Sequence, residues 1–90
     1  MATTNITFSK VGDIYEATFV SQGPCVIQFD RDKKSPVSVS ANISGMQKVP
    51  IANFSNAYME DVIFELDLAV GLEVTIKSQT EVKSAKMLTE

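Results

Sequence analysis

Ninety residues carrying 8 Lys and Arg against 11 Asp and Glu, with no His, no Trp and one Cys, narrow the possibilities before any pattern is read. A single domain spanning 1–90 is expected, with one modest core that buries about 60% of the unfolded chain's surface. The net charge of −3 with scattered basic residues argues against a nucleic-acid surface, and the lack of His with a lone Cys25 excludes Ser-His-Asp, Cys-His and Cys-rich zinc chemistry.

The opening residues, from Met1 to Phe8, show neither a basic stretch nor a continuous apolar run, and no segment reaches membrane-spanning length. A soluble protein made in a cytoplasm is the expectation. Strand signals then recur about every ten residues, the rhythm of an antiparallel sandwich. A first strand holds Ile6 and Phe8 on one face, and Val11-Gly12-Asp13 turns the chain into a second, where Tyr15, Ala17 and Phe19 alternate with Glu16 and Thr18. Tyr15 is thereby expected in the core. Gly23-Pro24 ends that strand, and Cys25, Ile27 and Phe29 form the inward face of the next. The segment 30–34, with Asp30, Arg31, Asp32, Lys33 and Lys34, is close to neutral and reads as a solvated turn.

From Val37 to Ser44 apolar and small polar residues alternate without a slip, which marks a half-buried strand. Its outward face is Ser38, Ser40, Asn42 and Ser44, and Val37, Val39, Ala41 and Ile43 point inward. Val49-Pro50-Ile51 reads as a short edge strand, because Pro50 cannot donate to a central ladder. An ordered loop follows over 52–58. Val62, Phe64, Leu66 and Leu68 share one face against Glu65 and Asp67, and Leu72, Val74 and Ile76 share one against Glu73, Thr75 and Lys77; with Gly71 between them, these two runs read as a β-hairpin. The last segment, 83–88, fits a strand or a helical turn. The sum is an all-β fold, a single antiparallel β-sandwich of roughly seven or eight short strands, immunoglobulin-like or jelly-roll in topology.

Nothing in the chain resembles a reaction centre, and no catalytic residue, cofactor site or metal site is expected. The glycines at 12, 23, 45 and 71 stand too far apart for a phosphate-binding loop. Glu65, Asp67 and Glu73 belong to polar strand faces and read as solvated surface, although a carboxylate pair across the hairpin is the one enzymatic arrangement available. Asp13, Asp30 and Asp32 lack the Gly and terminal Glu of a calcium loop. Cys25 has no base beside it and reads as an inert buried thiol.

The informative stretch is instead 36–58, where Lys48 is the only ionised side chain. Two readings compete for it. In one, Val37, Val39, Ala41, Ile43, Val49, Ile51 and Phe54 are simply core. In the other the segment is a protein contact, since charge depletion with Met and aromatic residues is the compositional mark of interfaces. The interface residues on this reading are Ser38, Ser40, Asn42, Met46, Phe54, Tyr58 and Met59.

Over segments 37–43 and 64–78 the chain resembles small β-sandwich virion proteins of tailed bacteriophages, most of all auxiliary (decoration) capsid proteins of the crAss-like group. The similarity lies in size, missing His and Trp and serine-rich strands. It implies a non-catalytic structural protein, synthesised in the host cytoplasm and bound in many copies to the capsid surface. Its partners would be the major capsid protein or other virion proteins and further copies of itself, with no nucleic acid and no membrane. The alternative, from a different class, is a carbohydrate-binding or adhesion module, with Tyr58 and the loop bearing Asn53 and Asn56 as its site.

Overall fold

The computed structural model describes residues 1–54 and 60–90, with the backbone alone at Phe54. Nine strands form among the described residues: β1 (Ala2–Asn5), β2 (Ser9–Val11), β3 (Ile14–Val20), β4 (Cys25–Arg31), β5 (Val37–Asn42), β6 (Val49–Phe54), β7 (Val62–Leu66), β8 (Glu73–Ser78) and β9 (Val82–Thr89). No helix among them is long and apolar enough to cross a membrane. The strands build two antiparallel sheets, one ordered β1-β9-β4-β7 and the other β2-β3-β8-β5-β6. The all-β sandwich expected from alternation is what the chain forms.

The pairings are nested. The first strand pairs with the last, β3 with β8, β4 with β7 and β5 with β6, as though one long hairpin had been rolled across two layers. The contacts β4·β9 and β5·β8 then close each sheet. This is jelly-roll connectivity, so of the two sandwich topologies it is the jelly roll that is observed. The short strand β2 is an addition, folded onto the free edge of β3 by a tight turn in which Gly12 has φ +64°.

Three expectations need correction. The runs 62–68 and 72–76 are not a hairpin: β7 belongs to the four-stranded sheet and β8 to the five-stranded one, so Phe64 and Leu66 face Val74 and Ile76 from opposite walls of the core. Alternation shows which side of a strand is apolar, but not which strand lies beside it. Ile6 and Phe8 are not in a strand; they lie in the passage from β1 to β2 and drop half-buried against the core, with Phe8 tilted on Phe29 at 5.3 Å. Residues 52–54, expected in a loop, continue strand β6. Of the two alternatives for 83–88 the strand is observed, inside the four-stranded sheet between β1 and β4.

The core is the apolar period made solid. Ile27 and Phe29 from one sheet meet Val37, Val39, Val74 and Ile76 from the other, all at most 1% exposed, and Phe29 sets its ring edge-on to Phe64 at 6.3 Å. Each end of the sandwich is closed by a polar lock. At one end Ser21, fully buried, binds the crossover 67–72: its amide donates to Leu72 O (2.8 Å), its hydroxyl donates to Ala69 O and accepts from Leu72 N (2.9 Å), and its carbonyl accepts from Gly71 N (2.9 Å). Gly71 reaches that position at φ +98°, where a side chain would be strained.

At the other end lies Arg31. It is 3% exposed, contrary to the solvated turn expected there, because it continues the inward period of Cys25, Ile27 and Phe29. Its guanidinium lies 5.6 Å from the Phe29 ring centroid. Nε donates to Glu60 O (2.9 Å), and Nη1 donates to Ser35 O (3.1 Å), Ser35 Oγ (2.7 Å) and Ser78 Oγ (3.2 Å). Burial pushes its pKa down while Asp61 and Glu60 push it up, and an arginine so placed stays charged.

Truncation of the central ring in Phe29→Ala is expected to cost about 3–5 kcal/mol in urea unfolding. Ile63→Ala, at an exposed position of β7, should cost less than about 0.5 kcal/mol. Equal losses would contradict this core. Arg31→Lys is expected to cost about 1.5–3 kcal/mol despite keeping the charge, since one ammonium cannot span the Glu60 carbonyl and the serines together; unchanged stability would show that the lock contributes nothing.

Candidate interaction surface

The register of the five-stranded sheet fixes what surrounds the serines. Ser38 lies between Lys77 on β8 and Asn53 on β6, and Lys77 lies opposite Glu16 on β3. One row further along, Ser40 lies between Thr75 and Pro50, and Thr75 lies opposite Thr18. Ser38 and Ser40 are half-buried, and Thr75 is buried by its neighbours although it points outward. The charge poverty of the sequence segment is therefore not a property of the whole face, which receives Lys77, Glu16 and Glu73 from strands adjacent in space.

Asn42 is not free to contact a partner. It is buried, and its amide donates to Glu73 Oε1 (2.7 Å) and to Ile43 O (3.1 Å), tying the end of β5 to β8. Met46 is 69% exposed in the β5–β6 turn, closed by a hydrogen bond from its own amide to Ile43 O (2.9 Å). Phe54 ends β6 opposite Val37, so its backbone sits at the Arg31 end of the sheet and Met46 at the Ser21 end. The side chain of Phe54, and Tyr58 and Met59 entirely, lie outside the described residues, as does Asn56; Asn53 is exposed. The expected interface residues are thus spread along the sheet.

What the structure gathers instead is an apolar end. Ile43 (67% exposed), Val49 (59%) and Ile51 (44%) join Met46 around the β5–β6 turn and the outer edge of β6. Ile43, Val49 and Ile51 do not belong to the core. Ile43 lies beyond the end of β5, and β6 is the edge strand that Pro50 foretold. Opposite Val39 and Ser40 the register steps from Ala52 to Pro50, which leaves Ile51 as an unpaired bulge residue. Lys48 is the one ionised side chain within this stretch. These four exposed apolar residues fall within the nine-residue stretch 43–51, whereas Val11, Val20, Ile63 and Val70 are exposed singly elsewhere. The charge-poor composition was the signal for this region; that its apolar members lie outside the core was not readable from alternation.

No family model, curated protein or solved structure matches the chain.

The chemical candidates are placed as follows. Glu65 and Glu73 lie on different sheets and do not face each other across a hairpin. Glu73 accepts from Asn42, Asp32 pairs with Lys83 at 3.0 Å on the surface, and Asp30 accepts from Ser84. The hydrogen bond from Lys83 to Asp32, with the charge of that carboxylate, holds the lysine's pKa above its ordinary value. Among the described residues no three of His, Cys, Asp and Glu are grouped to hold a metal ion. Tyr15 is half-buried rather than enclosed, and it lines a cleft considered below.

Cys25 is buried on the inward face of β4, and burial pushes its thiol pKa up. Below the ordinary thiol pKa both folded and unfolded chains hold the proton, so stability is unaffected. As pH rises beyond it the unfolded chain releases a proton that the folded chain keeps, and stability falls. Cys25→Ala, though less stable at neutral pH, should show a shallower alkaline decline than wild type in urea melts. Parallel declines would mean that the thiol is not held protonated by the fold.

Proposed function

We propose that this protein is a non-catalytic structural component of a virus particle, an auxiliary or decoration protein bound in many copies to the capsid surface. The observation that carries the reading is the exposed apolar end formed by Ile43, Met46, Val49 and Ile51, in a stretch where Lys48 is the sole charge. A surface of this kind desolvates at little cost against a protein neighbour. The jelly roll is compatible with it, since capsid domains and lectins both use that topology, although topology by itself assigns no role. The patch is small. Binding through it depends on repetition, because contacts that are weak singly gain occupancy when neighbouring copies also touch.

In this reading the turn and the outer edge of β6 contact the major capsid protein or a neighbouring copy, with Ser38 and Ser40 flanking the contact. Met46→Lys and Ser40→Lys leave the core untouched and are expected to melt as wild type does, yet to lose incorporation in co-sedimentation with purified heads lacking the protein. A charge stranded in such a contact costs about 2–5 kcal/mol per copy. Gln28→Lys, exposed on the outer face of the other sheet, serves as the control and should bind normally. Wild-type incorporation of Met46→Lys, or equal loss in Gln28→Lys, would remove the support for this surface.

A further inference from the structure

At the Arg31 end of the sandwich, the β2–β3 turn, the β4–β5 connection and the β8–β9 turn border an open cleft of about 370 Å³. Its walls carry Tyr15, Lys10, Asp13, Lys33, Gln79 and Glu81, beside Asp32 and Thr80. Among the described residues no side-chain hydrogen bond or ion pair engages any of those first six, so donors and acceptors of both signs stand uncommitted around one space. The loops bearing them are nevertheless braced from beneath. Thr80 Oγ1 donates to Lys33 O (2.9 Å), which obliges Ser35 Oγ, 3.0 Å away, to be the donor to Thr80, while Ser78 Oγ donates to Thr80 O (2.8 Å). Both serines accept in turn from Arg31. The buried guanidinium thus locks the β4–β5 connection to the β8–β9 turn, and the cleft is formed before any ligand arrives.

From this we infer that the cleft is a binding site for a neutral pyranose saccharide. The lining decides the chemical class by elimination. Three carboxylates oppose an anion, two ammonium groups oppose a cation, and a wholly apolar ligand would desolvate the charged and amide groups around Tyr15 without giving them partners. A sugar requires what is present. Each hydroxyl both donates and accepts, so it can bridge a carboxylate or the Gln79 carbonyl on one side and an ammonium or amide on the other, while the phenol of Tyr15 offers apolar area to the C–H face of the ring. The volume lies within the range of small-molecule sites. The position also fits: β5 and β8 run from this end, at Val37 and Ser78, to the opposite end, at Asn42 and Glu73, where the apolar turn lies. A sugar held here would not compete with a protein docked there, and the inference does not depend on the capsid reading.

The test is an NMR titration of ¹⁵N-labelled protein with glucose, galactose, mannose, N-acetylglucosamine and their β-linked disaccharides, with triglycine as a zwitterionic control. Shifts confined to Lys10, Asp13, Tyr15, Lys33 and 79–81 with at least one sugar are expected. Gln79→Ala and Asp13→Ala, both exposed and away from the core, should weaken that sugar by about tenfold or more at unchanged melting temperature; Tyr15→Phe should retain much of the binding and Tyr15→Ala lose it. Three results would each overturn the assignment: no shift in the cleft with any of these sugars, equal shifts with triglycine, or sugar binding indifferent to Gln79 and Asp13.

Discussion

A jelly roll leaves its two ends open, and at one of them the gap between the sheets is filled by a charge. Arg31 enters where the apolar period would place a hydrophobic side chain, and every hydrogen bond that follows from it has a direction. The guanidinium can only donate, so Ser35 and Ser78 must accept; having accepted, their protons go to Thr80, and the Thr80 hydroxyl must then give its own proton to the Lys33 carbonyl. Such chains polarise in one sense and reinforce each other. The result is that β4, β8, the segment leading into β7 and the connection between β4 and β5 meet at one cation. Removing it would leave the buried Ser78 hydroxyl and the part-buried Ser35 and Glu60 acceptors without this donor, a larger loss than any one of the bonds.

The opposite end solves a different problem with a neutral group. There the chain passes from one sheet to the other between β7 and β8, and a crossover carries backbone amides and carbonyls that no ladder satisfies. Ser21 supplies two backbone and two side-chain bonds to that passage, which uses its hydrogen-bonding capacity almost completely. The two locks divide the labour of the fold: burial of Ile27, Phe29, Val37, Val39, Val74 and Ile76 drives the layers together, and Arg31 and Ser21 determine how the rims close. The two surfaces proposed to carry function lie on those rims, one apolar at the β5–β6 turn and one polar above Arg31.

Much of this was legible in the residues, for a physical reason. A period of two reports directly on which side chains face inward, so Cys25, Ile27 and Phe29, Val37, Val39 and Ala41, and Val74 and Ile76 were identified as core faces from sequence. The same period is silent about neighbours, which is why β7 and β8 read as a hairpin although they lie on opposite layers. Arg31 was misplaced for a more instructive reason: its charge and its company, Asp30, Asp32, Lys33 and Lys34, suggested solvent, yet continuing the count from Phe29 by two would have turned it inward. Ile43, Val49 and Ile51 carried no mark to separate an exposed apolar residue from a buried one, beyond the hint of an edge given by Pro50. Of the seven residues expected at a contact surface, Asn42 is spent on Glu73, and Phe54, Tyr58 and Met59 fall at or beyond the limit of what is described.

The bulge at Ile51 and the imino nitrogen of Pro50 bear on what happens when many copies are crowded together. An open edge of straight strand is a template on which another chain can add its own strand, and a protein held at high local density would be prone to grow ribbons in that way. In β6 the ladder is interrupted twice within two residues, so a second copy arriving at this edge finds neither a continuous row of donors nor an even register. A contact made at the proposed apolar surface would therefore stop short of polymerisation, limited by the backbone rather than by charge.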